Sequence, residues 1–274
     1  MLNRLLGHGF KTAALGLFTL WTIVPIALVI SNSFKREMDI FTKVPKLFFT
    51  PTMDNYVNVF LKGDFSSYFS NSALVAIVST FIAIIFGTLA AYGLVGFSSR
   101  WSGTIANGFL LGKLVPAISM LLPLFTLVRV SGLLGTLTGP IIAHAALNLP
   151  FIIWLMMGFI RDVPTELSDA AKIDGCTPMQ TFWKIIVPII LPGMAAAFIL
   201  AMQYSWNELL FSMQLTSMDT YTLPVGISTF VGAISVDWGK SSAAATITML
   251  PMIIIGFFVQ KYIATGTTSG AVKG

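Results

Sequence analysis

An all-α chain that crosses a membrane several times is predicted by three observations. Of the 274 residues, 55% are hydrophobic and only 10% are charged, with a mean hydropathy of +0.85. A water-soluble domain must wet most of its outside with polar groups, and this composition does not supply them. The charges also stand far apart. Lys11 to Lys35 leaves 23 uncharged positions, Asp64 to Arg100 leaves 35, Arg129 to Arg161 leaves 31, Lys184 to Glu208 leaves 23 and Lys240 to Lys261 leaves 20. A lipid-spanning helix needs about 20 consecutive apolar residues, so each gap is long enough. A further apolar run, Thr104–Val128, is interrupted only by Lys113. Six spans follow, as helices, because a helix satisfies its backbone within the segment that lipid surrounds.

The first span is Thr12–Ser33. Arg4 and Lys11 precede it in the manner of a secretory signal, but the apolar run is too long for a signal core. It ends in Ile-Ser-Asn-Ser-Phe-Lys without a small-x-small cleavage site, so it reads as a retained helix. The loop Phe34–Ser70 follows. Within it Tyr56, Val57 and Phe60 fall at helical spacing, which predicts a short interfacial helix.

The second span is Asn71–Phe97, where Ala83, Gly87 and Ala91 recur every four positions and form a stripe for close helix packing. The third and fourth are Thr104–Val128 and Leu137–Ile160, the fifth Val187–Gln214 and the sixth Ser241–Tyr262. Prolines at 25, 116, 123, 150 and 251 kink or locally unwind spans, which neighbouring helices in a bundle tolerate. No repeat of 20–50 residues is visible. The boundaries divide the chain into an N-terminal spanning helix with its loop (1–70), a transmembrane domain (71–263) with a polar loop at 161–187, and a tail (264–274).

Charge narrows the function. The net charge of +5 comes from basic residues scattered over loops, without a basic run or interleaved aromatics, so no nucleic-acid partner is expected. Charge does not orient the chain. With the N-terminus inside, eight basic residues fall on the cytoplasmic side and seven opposite, a difference too small to decide. A lone cysteine, Cys176, cannot form an internal disulfide.

The least membrane-like segment is Ser168–Gly193, between the fourth and fifth spans. Leu167, Ala170, Ala171 and Asp174 stand at i, i+3, i+4 and i+7 and so share one face of a short helix. The Ala170-Ala171 pair is too small to anchor a core but allows another surface to approach closely. Gly175 stands where a helix ends in a left-handed residue. Thr177 then caps a second helix, Pro178 takes its first position and Gln180 completes a capping box. Phe182, Ile185 and Ile186 give that helix an apolar face until Pro188 and Pro192 turn the chain into the membrane. The expected result is a helix–turn–helix standing off the bilayer.

This segment resembles the signature loop of ABC-importer permeases, a Glu-Ala-Ala triplet followed by a glycine and later by Ile-x-Leu-Pro. Here it reads Asp169-Ala170-Ala171, Gly175 and Ile185-Ile186-Val187-Pro188, with Asp for Glu at 169 and Val for Leu at 187. Ser205-Trp206-Asn207-Glu208-Leu209-Leu210 and Tyr221-Thr222-Leu223-Pro224-Val225-Gly226 are similar to the fifth-span and outer-loop signature of carbohydrate permeases. The tail Thr265–Gly274 is similar to that of the second permease subunit of maltose-type importers.

The resemblance implies a type I ABC importer permease fold, with six transmembrane helices and a cytoplasmic coupling helix. Asp169, Ala170, Ala171, Asp174 and Gly175 would then couple to the ATPase. It further implies a homologous permease partner, two ATPase subunits that hold ATP and Mg, an extracytoplasmic solute-binding protein, and a bacterial cytoplasmic membrane with both termini in the cytoplasm. The chain itself would carry no cofactor, no metal and no catalytic site. Gly108–Leu114 is one residue short of a phosphate loop, and Gly239-Lys240-Ser241 has Ile234 where a glycine is required. The histidines, His8 and His144, are too few for a metal site alone.

Polar residues inside a span are costly and therefore paired or functional. Gln203, Tyr204, Trp206, Asn207 and Glu208 combine aromatic faces with amides and a carboxylate, as a sugar ring requires. The expectation is a substrate path; the alternative is a contact with the partner permease. Lys113 and His144 line that path, pair with a neighbouring subunit or snorkel. The expected cargo is a sugar, oligosaccharide or sugar derivative, with a polyamine or osmolyte as the alternative. An ion-coupled secondary transporter would instead show inverted repeats and an acidic relay at the midplane, and neither is apparent.

Overall fold

The computed structural model describes the backbone of residues 2–61, 64–96, 102–232 and 236–268. Its helices are α1 (Leu2–Ser33), α2 (Glu37–Ile40), α3 (Asp54–Phe60), α4 (Phe65–Gly96), α5 (Ser102–Gly112), α6 (Ala117–Val130) and α7 (Thr138–Arg161). Then come α8 (Thr165–Ile173), α9 (Pro178–Thr181), α10 (Val187–Trp206), α11 (Leu210–Leu215), α12 (Leu223–Ser228) and α13 (Trp238–Thr268). Among the described residues, five stretches are long and apolar enough to cross a membrane: Phe10–Ser33, Phe65–Gly96, Thr138–Arg161, Pro178–Trp206 and Trp238–Phe257.

The expected third span, Thr104–Val128, is not one helix. It is α5 and α6, separated at Lys113–Pro116. Pro116 has no N–H and disfavours helical backbone in the residue before it; at φ −54°, ψ 131° it is extended and opens α6. Eleven and 14 residues rise roughly 16 and 21 Å at 1.5 Å per residue. Neither alone crosses a hydrocarbon core of about 30 Å.

The fifth span also departs from expectation at both ends. It begins at Pro178, because α9 runs through a π-helical turn at Phe182–Ile186 straight into α10. There the Val187 N–H donates to the Phe182 carbonyl, five residues back. The cause is next in the chain: Pro188 cannot donate, and its ring would collide with the carbonyl of Lys184 four residues back, so the helix widens by one residue ahead of it. The second arm of the expected helix–turn–helix is therefore the first turn of a long helix. That helix stops at Trp206 rather than Gln214, with Asn207 as its C-cap, and the Glu208 carboxylate takes the N–H groups of Phe211 and Ser212 that a continued helix would bond to its own carbonyls.

The described chain divides into two compact units, Met1–Ser66 with Gly226–Pro251 and Ser67–Val225 with Met252–Gly274. In the first, α3 is tied to the end of α1. Ser33 Oγ and Tyr56 Oη share a 2.7 Å hydrogen bond, and Asn55 Nδ2 donates to the carbonyls of Ser33 and Lys35, both at 2.9 Å. The buried residue of α3 is Val59; Val57, expected on the apolar face, is 40% exposed. Anchoring through the Tyr56 hydroxyl turns the next residue outward.

The core of the second unit lies between α4, α7 and α10, where Ala83, Ala91, Ile152, Met156, Phe182, Ile190 and Ala197 are buried together. The small-residue stripe on α4 performs as expected. A Cβ at Gly87 would stand 2.5 Å from Ile152 Cγ2, so glycine is what lets α4 and α7 come this close. A smaller cluster joins α6, α7 and α11 through Val128, Ala143, Leu147, Phe211 and Leu215. Of the expected tail 264–274, residues up to Thr268 continue α13, and 269–274 lie outside the described residues, as does Phe97.

Candidate functional sites

Two places in the second unit concentrate polar chemistry. One is the turn between α8 and α9. The helix α8 ends at Ile173, with Asp174 as its C-cap rather than on its face. Gly175 has φ +79°, the left-handed backbone that glycine adopts at least cost. Its N–H donates to the Lys172 carbonyl at 3.1 Å, and the Cys176 N–H donates to the Ala171 carbonyl at 2.9 Å. These are the two bonds of a Schellman ending, which satisfy carbonyls that the helix leaves free. The capping box then starts α9: the Thr177 N–H donates to Gln180 Oε1 at 2.8 Å and the Gln180 N–H to Thr177 Oγ1 at 3.3 Å.

Of the alanine pair, Ala171 is buried and Ala170 exposed, while Ile173 is 87% exposed at the tip. Lys172 Nζ donates to Asp169 Oδ1 at 2.8 Å across the surface. That hydrogen bond holds the Lys172 ammonium above its ordinary pKa. Behind the turn, Tyr92 Oη of α4 donates to the Pro178 carbonyl at 3.2 Å, and its ring lies 5.0 Å from that of Phe182.

The second place is where α10 ends. Gln203, Tyr204 and Asn207 border an open cavity of about 530 Å³ together with Glu208 and leucines 200, 209 and 210. Asn207 Nδ2 donates to the Gln203 carbonyl at 2.8 Å, beside the Asn207 N–H that reaches the same oxygen at 3.3 Å, so the last turn of the helix is closed by backbone and side chain together. Lys113 Nζ stands 4.7 Å from the centre of the Tyr204 ring, a cation–π contact between the α5–α6 break and α10.

The other two expected path residues behave differently. Trp206 is 2% exposed and meets Phe69 edge-on. Glu208 is 8% exposed, and its carboxylate accepts from the Phe211 N–H (2.9 Å), the Ser212 N–H (3.0 Å) and Ser212 Oγ (3.1 Å) at the start of α11. His144 of α7, fully buried, lies with Nε2 3.0 Å from Glu208 Oε2 and Nδ1 2.6 Å from Ser205 Oγ. Ser205 Oγ in turn lies 3.1 Å from Ser79 Oγ of α4. One turn along, Asn148 Nδ2 donates to the Ala201 carbonyl at 3.4 Å. Sequence reasoning missed Ser79 and Ser212, which no local pattern marks, and named Ser205 only as the first residue of the motif at 205–210. Among the described residues, no three His, Cys, Asp or Glu side chains group so as to hold a metal.

Comparison with known proteins gives a consistent result. Residues 83–269 match the family described as binding-protein-dependent transport system inner membrane component. The trehalose transport system permease protein SugB of Mycobacterium tuberculosis is 35% identical over 258 residues, 93% of each chain. The sulfoquinovosyl glycerol transport system permease protein SmoH of Agrobacterium fabrum is 31% identical over 255 residues, 92% of this chain and 89% of that one. Among solved structures, a bacterial ABC transporter involved in import of the acidic polysaccharide alginate matches with a TM-score of 0.81 at 22% identity. That match covers 94% of this chain and 96% of the other, and so shows the fold.

Proposed function

Because the chain belongs to the family of binding-protein-dependent transport system inner membrane components, we propose that it is a permease subunit of a bacterial ABC importer for a sugar, oligosaccharide or sugar derivative. The observation that carries this reading is the exposed turn at Thr165–Thr181, rigidified at both ends by a Schellman bond pair and a capping box. Such a turn is held by its own backbone bonds, which suits a part that receives force from another protein. In this reading Asp169, Ala170, Ala171, Asp174 and Gly175 face the groove of an ATPase subunit, and both termini are cytoplasmic. The helices α5 and α6 together make a sixth crossing.

ATP and Mg reside on two partner ATPases, a homologous permease completes the path, and an extracytoplasmic binding protein delivers cargo. Closure of the ATPases displaces the turn, and the helices switch between inward- and outward-facing arrangements. Sugar as cargo is supported by relatives named for trehalose and sulfoquinovosyl glycerol and by the aromatic and amide groups at the cavity. Gln203, Tyr204 and Asn207 are the residues proposed to meet it, while Trp206 and Glu208 hold the wall they stand on.

The test is reconstitution of the complete importer in vesicles. ATP hydrolysis and sugar uptake rise together when loaded binding protein is added outside. Uptake driven by an ion gradient without ATP would replace this reading with a secondary transporter.

A further inference from the structure

Glu208 stands at the border of the proposed cargo cavity, yet its chemistry is committed elsewhere. Four donors reach its carboxylate: His144 Nε2, Ser212 Oγ and the N–H groups of Phe211 and Ser212. Three of them converge on Oε2 and the Phe211 N–H meets Oε1, so both oxygens are engaged by the protein. A carboxylate held by four donors of its own chain fixes a corner of the backbone. That corner is the break between α10 and α11, and Asn207 sits in it, exposed between two buried neighbours, Trp206 and Glu208.

The other half of the joint is His144. Its ring ties the corner to α7 and, through Ser205 and Ser79, to α4. If the imidazole is cationic, Nδ1–H donates to Ser205, Ser205 donates to Ser79, and Ser79 donates to the Ala76 carbonyl at 3.3 Å, so every proton has an acceptor. If it is neutral with the proton on Nε2, Ser205 donates to Nδ1 and Ser79 to Ser205. In both arrangements Nε2–H faces Glu208. A buried network in which each member is satisfied holds one geometry, because any displacement strands a polar group away from water.

We propose that His144 and Glu208 are positioning residues for cargo selection: their bond sets where Gln203, Tyr204 and Asn207 stand at the cavity wall. This rests on the reading of that cavity as part of the sugar path. The consequence is a change of selectivity, because hydroxyl recognition depends on donor and acceptor placement.

The whole importer is reconstituted in vesicles with its binding protein, and uptake rates of radiolabelled trehalose, maltose and diacetylchitobiose are compared. His144→Leu removes the donor to Glu208 and is expected to shift the ratio of rates between sugars by about fivefold or more. His144→Gln, which keeps an N–H near the position of Nε2, restores the original ratio. Where His144→Leu fails to assemble, Ser79→Ala with Ser205→Ala loosens the ring without removing it and gives the same readout.

A proportional fall in all rates, or a preference left intact, overturns the inference and leaves the sugar-importer reading standing. Failure of the wild-type importer to take up any of these sugars, with uptake of a polyamine instead, overturns both.

Discussion

The turn at Thr165–Thr181 and the joint at His144–Glu208 meet the same requirement by opposite means. Each ends one helix and begins another, and each must satisfy backbone and side-chain polar groups at the break. In the exposed turn, partners lie within a few residues: Gly175 with Lys172, Cys176 with Ala171, Thr177 with Gln180. In the buried joint, Glu208 caps α11 locally, but the bonds that hold Glu208 in place span 61 residues from His144 to Ser205, 64 from His144 to Glu208 and 126 from Ser79 to Ser205. Local closure makes a turn whose backbone bonds do not depend on the position of distant helices. Long-range closure makes a part whose shape is the agreement of three helices. The first suits a segment that another protein moves, and the second suits a wall that must stay in register.

The largest expected effect breaks the joint. Glu208→Ala leaves His144 and the N–H groups of Phe211 and Ser212 buried without their acceptor. Removing one partner from a buried pair costs about 3–5 kcal/mol, so the thermal midpoint of the detergent-purified complex should fall sharply. A midpoint within a degree or two of wild type would mean that water already reaches the joint.

Damage to the turn should be smaller in stability and larger in coupling. A Cβ at Gly175 meets nothing within 4 Å, so only the backbone is penalised. Gly175→Val is expected to cost about 1–2 kcal/mol through its positive φ. Membrane insertion survives, while uptake and its stimulation of ATP hydrolysis are lost. Normal uptake in this variant would remove the docking role of the turn.

Thr177→Ala deletes one bond of the capping box, with an expected cost of about 1 kcal/mol. Hydrogen exchange at residues 177–181 should quicken while the joint's amides stay protected, which would show that the two regions open independently. Equal acceleration at both would contradict local closure.

Cys176 provides the mildest probe, because it needs no substitution in the turn. Partly exposed and without a disulfide, it should react with an impermeant maleimide in inside-out vesicles and not from the outer face of spheroplasts. Removing the ATPases should raise the rate. Labelling from outside would invert the proposed orientation.

The same contrast explains what could be read in the sequence. Gly175, the Thr177–Gln180 box and the Ala83–Gly87–Ala91 stripe were legible because their causes lie in spacing along one helix. The partnership of His144 with Glu208 was not, since nothing near either residue encodes a contact that chain folding creates 64 residues away. From sequence, Glu208 therefore reads as a cargo ligand or an interface contact, and its capping of α11 is not visible. The break at Lys113–Pro116 is legible only in part: a kink or local unwinding is expected at Pro116, but not the end of a helix. Pro116 was visible, but other prolines, such as Pro123 and Pro150, sit inside intact helices, so proline alone does not distinguish a kink from an end.

The widened turn at Phe182–Ile186 bears on how this chain tolerates editing. A straight helix advances about 100° per residue, so losing one residue from Pro178–Trp206 would rotate everything on one side of the loss. The turn at Phe182 and the cavity wall at Asn207 would then face directions they were not built for. A π-turn already carries one residue more than an α-turn requires. Deleting a residue there, together with Pro188→Ala to restore the missing N–H, would let the helix close as ordinary α-helix with both ends still in phase. Of all positions in that 29-residue run, these five are where the chain can be shortened without turning one end against the other.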